Sequence, residues 1–513
     1  MNPAQIDTRA RRRVTFGIMM GLFLSAFEAT VVVAAMPTVV SNLGGLEVYG
    51  WVYSIYFLAS TVTVPLWGRF SDIYGRRPMY IAGLACFVIG SVLCGAAHSM
   101  TQLIAFRAIQ GVGAGALFPV GMTIIADLYS LEERGRVQGL FSGVWGLSSI
   151  IGPVIGGLIT DSFSWRWVFL LNVPFGILAG AIIALELVEP ARDKRREIDY
   201  PGAVYLTLGL ICLLLGLDFL GRGSADWRPW LAIAAAGGLL LAFVRVELTH
   251  RDPILPLHLF RDRIFLAATL NGFLTSMALF GAITFIPLFV QGVQGADATA
   301  AGWALTPLTF GWVVFSIVSG RLILAVGYRR LVLSGMICLC VGFWLLGGAD
   351  ASVSTARLTL TTSLLGTGMG LSMVALLIAV QNRVPRGHLG MATSAASFFR
   401  QVGASVGIAV MGATLTSSLL SGLSGLKLGP NKEVAYLAAH PDAILDPFAR
   451  AAIPAATLSS LQGVLGDALA RVFHTGFLIA LLALASAFLV PPGGARDHAI
   501  DPTTHEGEKP ADS

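Results

Sequence analysis

Glu28 stands in the stretch SAFEATVVVAAMP, Ser25 to Pro37, among residues that otherwise prefer to leave water. A carboxylate in the middle of a membrane-length apolar run costs about 2.5–3.5 kcal/mol even on lenient insertion scales, so an acid kept there points to work that needs it. The chemistry open to a buried carboxyl is titration. Burial penalises the charged form, and a change of access or of neighbouring charge moves a proton on or off. Two arginines are also intramembrane. Arg107, in LIAFRAIQGVGAG, lies about a turn and a half inside the fourth apolar run, too deep for a simple anchoring charge, although a snorkelling side chain is the plainer alternative. Arg400, in SFFRQVGASVG, reads equally as a hydrogen-bond donor that locks helices and as a residue of a binding site. A further set of charges sits at the edge of the apolar runs, in GRFSDIYGRRP. Here Gly68 permits close helix contact, and Asp72 can sit at the positive N-terminus of a neighbouring helix. Arg76 or Arg77 can pair with Asp127, and such pairs hold one arrangement of a protein and break in another.

Long helices are needed to hold these positions. Of 513 residues, 55% are hydrophobic and 12% charged, against roughly 25% charged in an average soluble domain. Apolar runs of about 20 residues, the length that crosses a bilayer core, recur along almost the whole chain. This predicts an all-α polytopic membrane protein and excludes a soluble domain. Fourteen spans are expected. Residues 1–13 form a cytoplasmic N-terminus, 14–190 a six-helix bundle, 191–262 a linker with two spans, 263–491 a second six-helix bundle, and 492–513 a polar, disordered tail. The first run is too long for a signal peptide and reads as a retained helix. Residues 422–471 read as a long outer loop whose apolar–polar periodicity suggests short helices on the outer surface, which places the last span at about 472–491. His498 and His505 in the tail could bind metal, but a solvated tail is the simpler reading. Arginines gather in alternate loops (Arg9 to Arg13, Arg76, Arg77, Arg134, Arg136, Arg261, Arg263, Arg329, Arg330, Arg383, Arg386), which places both termini in the cytoplasm. The net charge of +5 follows from that bias and does not imply nucleic acid. All five cysteines (Cys86, Cys94, Cys212, Cys338, Cys340) fall in apolar runs and read as small core residues, not as disulfides or metal ligands.

The two six-span segments resemble each other. Gly68, Arg69 and Gly75 recur as Gly320, Arg321 and Gly327; GVGAG (Gly111, Gly113, Gly115) recurs as GTGMG (Gly366, Gly368, Gly370); Arg134–Gly135 recurs as Arg386–Gly387. Duplicated halves around a midplane site are a common transporter architecture. The charges are not duplicated. Asp72 corresponds to Leu324, Arg107 to Thr362, and Glu28 has no acidic counterpart in ALFGAITFIP, so the first half is expected to couple and the second to follow.

Five ordered motifs, GRFSDIYGRRP, LIAFRAIQGVGAG, GVWGLSSIIGPVIGG, WRWVFLLNVPFG and FEATVVVAAMP, resemble the signatures of the major facilitator superfamily, and within it the fourteen-span drug:proton antiporters of the EmrB/QacA type. The resemblance implies a major facilitator fold, with two six-helix bundles and two inserted helices. It implies a secondary active transporter, not an enzyme, that exports lipophilic drugs or toxic compounds in exchange for protons by alternating access. Export of an endogenous lipid, siderophore or metabolite by the same machinery is the alternative. On this reading Glu28 and Arg107 carry proton coupling, and Gly68, Asp72, Gly75, Arg76, Arg77 and Asp127 form a conformational gate. Gly152, Pro153 and Gly156 form the antiporter motif, where small residues let helices approach and proline permits a bend. That motif disfavours import. The family most often has Asp where Glu28 stands, and the tenth span lacks a second buried acid, so monocations, neutral and zwitterionic compounds are expected over dications. An apolar, aromatic cavity is expected from Phe23, Phe27, Trp145, Asn271, Phe398, Phe399 and Arg400. No cofactor or metal is expected. The partners are the substrate, protons and the lipid bilayer of the bacterial inner (plasma) membrane, and the chain is expected to act as a monomer, with or without periplasmic accessory proteins. No Walker loop, HExxH, nucleophile elbow or haem-ligand pair occurs within the spans.

Overall fold

The computed structural model describes residues 8–43, 51–189, 199–221, 226–250, 255, 257–296, 298–384, 388–425 and 455–493. Among these residues the structure is helical throughout. The first half comprises α1 (Thr8–Leu43), α2 (Trp51–Tyr74), α3 (Arg76–Gly95), α4 (Met100–Leu128), α5 (Leu131–Ser162), and the broken rod α6 (Arg166–Leu170) with α7 (Asn172–Glu186). The pair α8 (Tyr200–Gly221) and α9 (Arg228–Thr249) follows. The second half comprises α10 (Arg263–Leu288), α11 (Ala298–Val326), α12 (Tyr328–Gly347), α13 (Thr355–Gln381), α14 (Leu389–Gly425) and α15 (Ala455–Ala487). A helix satisfies its own backbone hydrogen bonds, which is the condition for crossing lipid.

Twelve of these rods are long and apolar enough to span a bilayer, with α6 and α7 counted as one. The remaining two, α2 and α5, complete the fourteen. They carry more serine, threonine, glycine and charge, and they are placed inside, α2 between α4 and α14, α5 between α1 and α11. Large apolar side chains such as Leu185, Trp303, Phe310 and Leu482 point outward from the bundle, with Leu185 82% exposed. A continuous apolar outer surface of this kind suits lipid and not water.

One packing plan serves both halves. In the first, α1 packs on α5 and α7, and α4 on α2 and α3; in the second, α10 packs on α14 and α15, and α13 on α11 and α12. The glycine motifs make equivalent contacts. A Cβ at Gly113 would strike the backbone of Phe87 and Gly83, and one at Gly368 would strike Gly335 and Leu339. Gly75 and Gly327 turn the chain into α3 and α12 with φ of +105° and +82°, a region where a side chain is strained. One expected match shifts. At the crossing of α14 with α2, Gly390 does what Gly135 does at the crossing of α5 with α11, whereas Arg386 and Gly387 lie outside the described residues. The α8–α9 pair stands apart, with α8 leaning on α14 and α2.

The outer-loop expectation needs correction. α14 runs on to Gly425, and α15 begins at Ala455, so residues 455–471 are the first turns of the last crossing helix, not helices lying on a surface. Leu461, Leu465, Leu469 and Val472 form a buried stripe, and α15 packs on α10, α12 and α14. A 3.6-residue period is the same whether the apolar face meets a lipid surface or a protein core, so periodicity could not tell them apart. The rest of that loop, residues 426–454, and the tail from 494, with His498 and His505, lie outside the described residues.

The halves meet where glycine lets backbones touch. A Cβ at Gly320 would lie 1.8 Å from the Gly135 carbonyl oxygen, and one at Gly135 would lie 2.1 Å from that of Gly320. Gly68 and Gly390 repeat the arrangement, each blocked at 2.8 Å by the other's carbonyl oxygen. Gly320→Val should therefore destabilise the purified protein by the roughly 1–3 kcal/mol that overpacking costs, whereas Gly237→Ala, where a Cβ meets nothing within 4 Å, should not. Thermal unfolding checks both, and equal loss at the two sites would count against a tight crossing.

Candidate functional site

The intramembrane acid is not alone. Arg107 on α4 reaches across to Glu28 on α1, Nη1 to Oε1 at 2.6 Å, with side-chain exposures of 1% and 0%. The other carboxylate oxygen accepts from Asn172 Nδ2 at 2.5 Å. Arg107 also donates from Nη1 to Gln110 Oε1 at 2.7 Å and from Nε to the Val52 carbonyl at 3.1 Å. Its guanidinium lies over the Tyr56 ring, 4.1 Å from the centroid. Ser91 closes the cluster by accepting from Gln110 Nε2 at 2.7 Å and Asn172 Nδ2 at 3.3 Å. Five helices of the first half therefore converge on one carboxylate. Loss of its charge by protonation would leave Arg107 without its counter-ion, held by a carbonyl, an amide and an aromatic face.

Local sequence explains how Asn172 gets there. The sixth span breaks at Leu171, and Pro174 falls in the first turn of α7, where a missing N–H costs nothing. Asn172, just after that break, is fully buried. Sequence reading overlooked Asn172 and Ser91 as members of this site. Asn172 carried a usable signal, since it is the single amide within LLNVPFG, whereas a lone serine such as Ser91 carried none.

At the basic end of the bundle, Asp72 ties the halves together. Its Oδ1 accepts from the Gly390 N–H at 3.1 Å and its Oδ2 from the Met391 N–H at 2.8 Å, so the carboxylate caps the positive N-terminus of α14. Arg76 pairs with Asp72 at 2.8 Å and with Asp127 at 2.9 Å. The Arg76–Asp127 pair lies within the first half, beside Asp72, which makes the crossing. Arg77 turns away to the Ala184 carbonyl on α7. The opposite crossing lacks such a tie because α5 caps itself, with Ser130 and Glu133 forming a capping box. There Arg134 donates to Asn382 at 3.2 Å and Gln138 to Gln381 at 2.9 Å. Outside the apolar layer, Asp262 caps α10 and pairs with Arg383 at 2.9 Å. Burial alone would push that carboxyl up, but the hydrogen bonds from Arg383 and the backbone hold it below the usual range.

The other expected positions separate. Gly152 packs on Thr30, where a Cβ would lie 2.0 Å from Oγ1, and Thr30 donates to the Ser148 carbonyl at 3.1 Å. Gly156 is buried, and the side chain of Pro153 lies outside the described residues. Phe23 and Phe27 stack on each other at 5.5 Å, with Phe27 buried in the first-half core. Trp145 is half-buried against that core. Phe398 and Phe399 join Phe260 in an aromatic cluster, with centroids 5.2 and 5.6 Å apart. Asn271 was expected in the cavity and is instead a clamp. It donates to the Ala483 carbonyl at 2.7 Å and to Ser486 Oγ at 2.9 Å, locking α10 to α15. Arg400 makes no hydrogen bond or ion pair among the described residues and lines a cavity of the second half, its guanidinium 5.1 Å from the Phe118 ring of α4.

Removing one partner of a buried pair strands the other, at a cost of about 3–5 kcal/mol. Glu28→Gln and Arg107→Gln should each lower thermal stability, and the double variant should recover a large part of the sum. Additive losses in that cycle would show that the two side chains do not interact.

The sequence matches the Major Facilitator Superfamily over residues 18–408. The multidrug transporter protein MdtP of Bacillus subtilis is 37% identical over 501 residues, covering 93% of this chain and 92% of that protein. Multidrug resistance protein 3 of the same organism is 35% identical over 492 residues, covering 94% and 95%. The crystal structure of the human organic anion transporter MFSD10 superposes with a TM-score of 0.64 over 94% of this chain and 99% of that one, at 17% identity, which is a likeness of fold alone. The paired halves, the buried motif residues and these matches converge: the chain is a membrane transporter of the major facilitator superfamily, and not an enzyme.

Proposed function

We propose that this protein exports lipophilic, drug-like molecules across the bacterial plasma membrane in exchange for protons, by alternating access, with both termini in the cytoplasm. The multidrug relatives support the cargo class, and the positive-inside distribution of arginine supports the orientation. The observation that carries the coupling is the Glu28–Arg107 pair, withdrawn from solvent and shared by α1 and α4. In this conformation the Asp72 tie to α14 and the two glycine crossings close the end assigned to the cytoplasm. A proton arriving at Glu28 from the other side would neutralise the carboxylate and release Arg107. The contacts of α1, α2, α4 and α7 around the pair would then rearrange. Rocking of the halves would pull Asp72 off the α14 N-terminus, open the cytoplasmic side, and let the proton leave as cargo enters. One proton moving inward across 100 mV supplies about 2.3 kcal/mol.

Proteoliposomes under an imposed pH gradient test this with lipophilic dyes of both charges. The parent should drive dye transport; Glu28→Gln should keep downhill exchange and lose gradient-driven accumulation. Asp72→Asn should slow turnover while leaving coupling in place. Gradient-driven accumulation by Glu28→Gln at the parent's level would overturn the assignment of the coupling acid.

A further inference from the structure

Charges inside the bundle differ in how they are partnered among the described residues. Glu28 and Arg107 neutralise each other, and Glu28 is fully buried behind its partners. Asp72, Arg76 and Asp127 are tied to one another at the basic end. Arg400 has no such partner among the described residues, with only the face of Phe118 against its guanidinium. It lies about 17 Å along α14 from its first residue, at about 1.5 Å per residue, which is close to mid-depth. A guanidinium held there without a counter-ion is costly, and among the described residues no acceptor meets its donors.

The space beside it is lined mostly by apolar side chains, with Arg400, Ser276, Thr275 and Ser372 as its polar members. The same cavity is lined by Ser276, whose hydroxyl is buried with no hydrogen-bond partner. Thr275 and Gly272 complete that wall, and a Cβ at Gly272 would meet no atom within 4 Å. Met369 and Met373 form the opposite, adaptable apolar wall. The free volume is about 30 Å³, room for a carboxylate-sized head group and not for a whole drug.

We propose that the cavity beside Arg400 recognises an organic anion, seating the carboxylate or comparable acidic head of an amphipathic cargo against Arg400 and Ser276. This deepens the export reading and rests on it. It departs from the expectation of monocationic, neutral or zwitterionic cargo, because Glu28 is paired with Arg107 and the charge facing this cavity is positive. Arg400's planar fork suits a two-oxygen acid, and the apolar body of the cargo would lie against Phe118 between the halves.

Equilibrium binding to the full-length protein in nanodiscs tests the proposal with three probes: cholate, its uncharged methyl ester, and tetraphenylphosphonium. The parent should prefer cholate. Arg400→Gln should weaken cholate by about ten- to a hundredfold, the usual loss of a charged hydrogen-bonding partner, and leave the ester unchanged. Arg400→Lys should keep most of the preference, and Gly272→Leu should block cholate by filling the cavity without lowering the unfolding temperature. Cholate binding indifferent to both Arg400→Gln and Gly272→Leu, or displaced equally well by chloride, would overturn the proposal. Should Arg400→Gln fail to fold, the Lys and Gly272 variants decide. A parent that binds cholate through Arg400 but moves no dye in vesicles would defeat the export reading and leave this site standing.

Discussion

A carboxylate and a guanidinium 2.6 Å apart in an apolar layer can both stay charged only if every remaining donor and acceptor around them is met. That constraint shapes the first half of this protein. It explains why an amide from α7, an amide from α4, a hydroxyl from α3, a carbonyl from α2 and a tyrosine face all converge on residues 28 and 107. A cluster bonded across several helices rigidifies its surroundings, and the removal of one charge alters what those helices have to accommodate at once.

The second half supplies contrast. Its backbone repeats the first, glycine for glycine at GVGAG and GTGMG and at the turns before α3 and α12. Glu28, Asp72 and Arg107 have no charged counterparts there. Where the first half closes its ion pairs, the second leaves Arg400 open to a cavity, and where α5 caps its own N-terminus, α14 is capped by Asp72 from across the interface. Duplicated packing gives the halves one backbone plan, and their polar chemistry differs. Backbone contact at glycine is insensitive to charge, so the two kinds of information vary independently.

Much of this was legible in the chain. Hydropathy gave the number of rods, because an apolar run of bilayer length has few alternatives to a helix. Glycine spacing exposed the repeat, and Glu28, Arg107, Asp72, Arg76 and Asp127 stood out because charge in or beside such runs is costly. Where reading failed, the signal was ambiguous in kind. The amphipathic start of α15 looked like a surface helix because period alone does not name the surface it meets. Asn271 looked like a cavity polar group, yet an amide facing a cavity and one facing a neighbouring helix have the same sequence.

By itself, then, the sequence determined the helical membrane class, the duplication, the family and which residues carry unusual cost, all of which follow from the local free energy of placing a side chain in lipid. Pairing was decided only by tertiary structure. That Glu28 meets Arg107, that Asp72 meets the α14 N-terminus, and that Arg400 lies against Phe118 are facts about helices far apart in sequence brought side by side. The cost of burying a charge can be read from one position, but whether a partner offsets it depends on which helix packs against it.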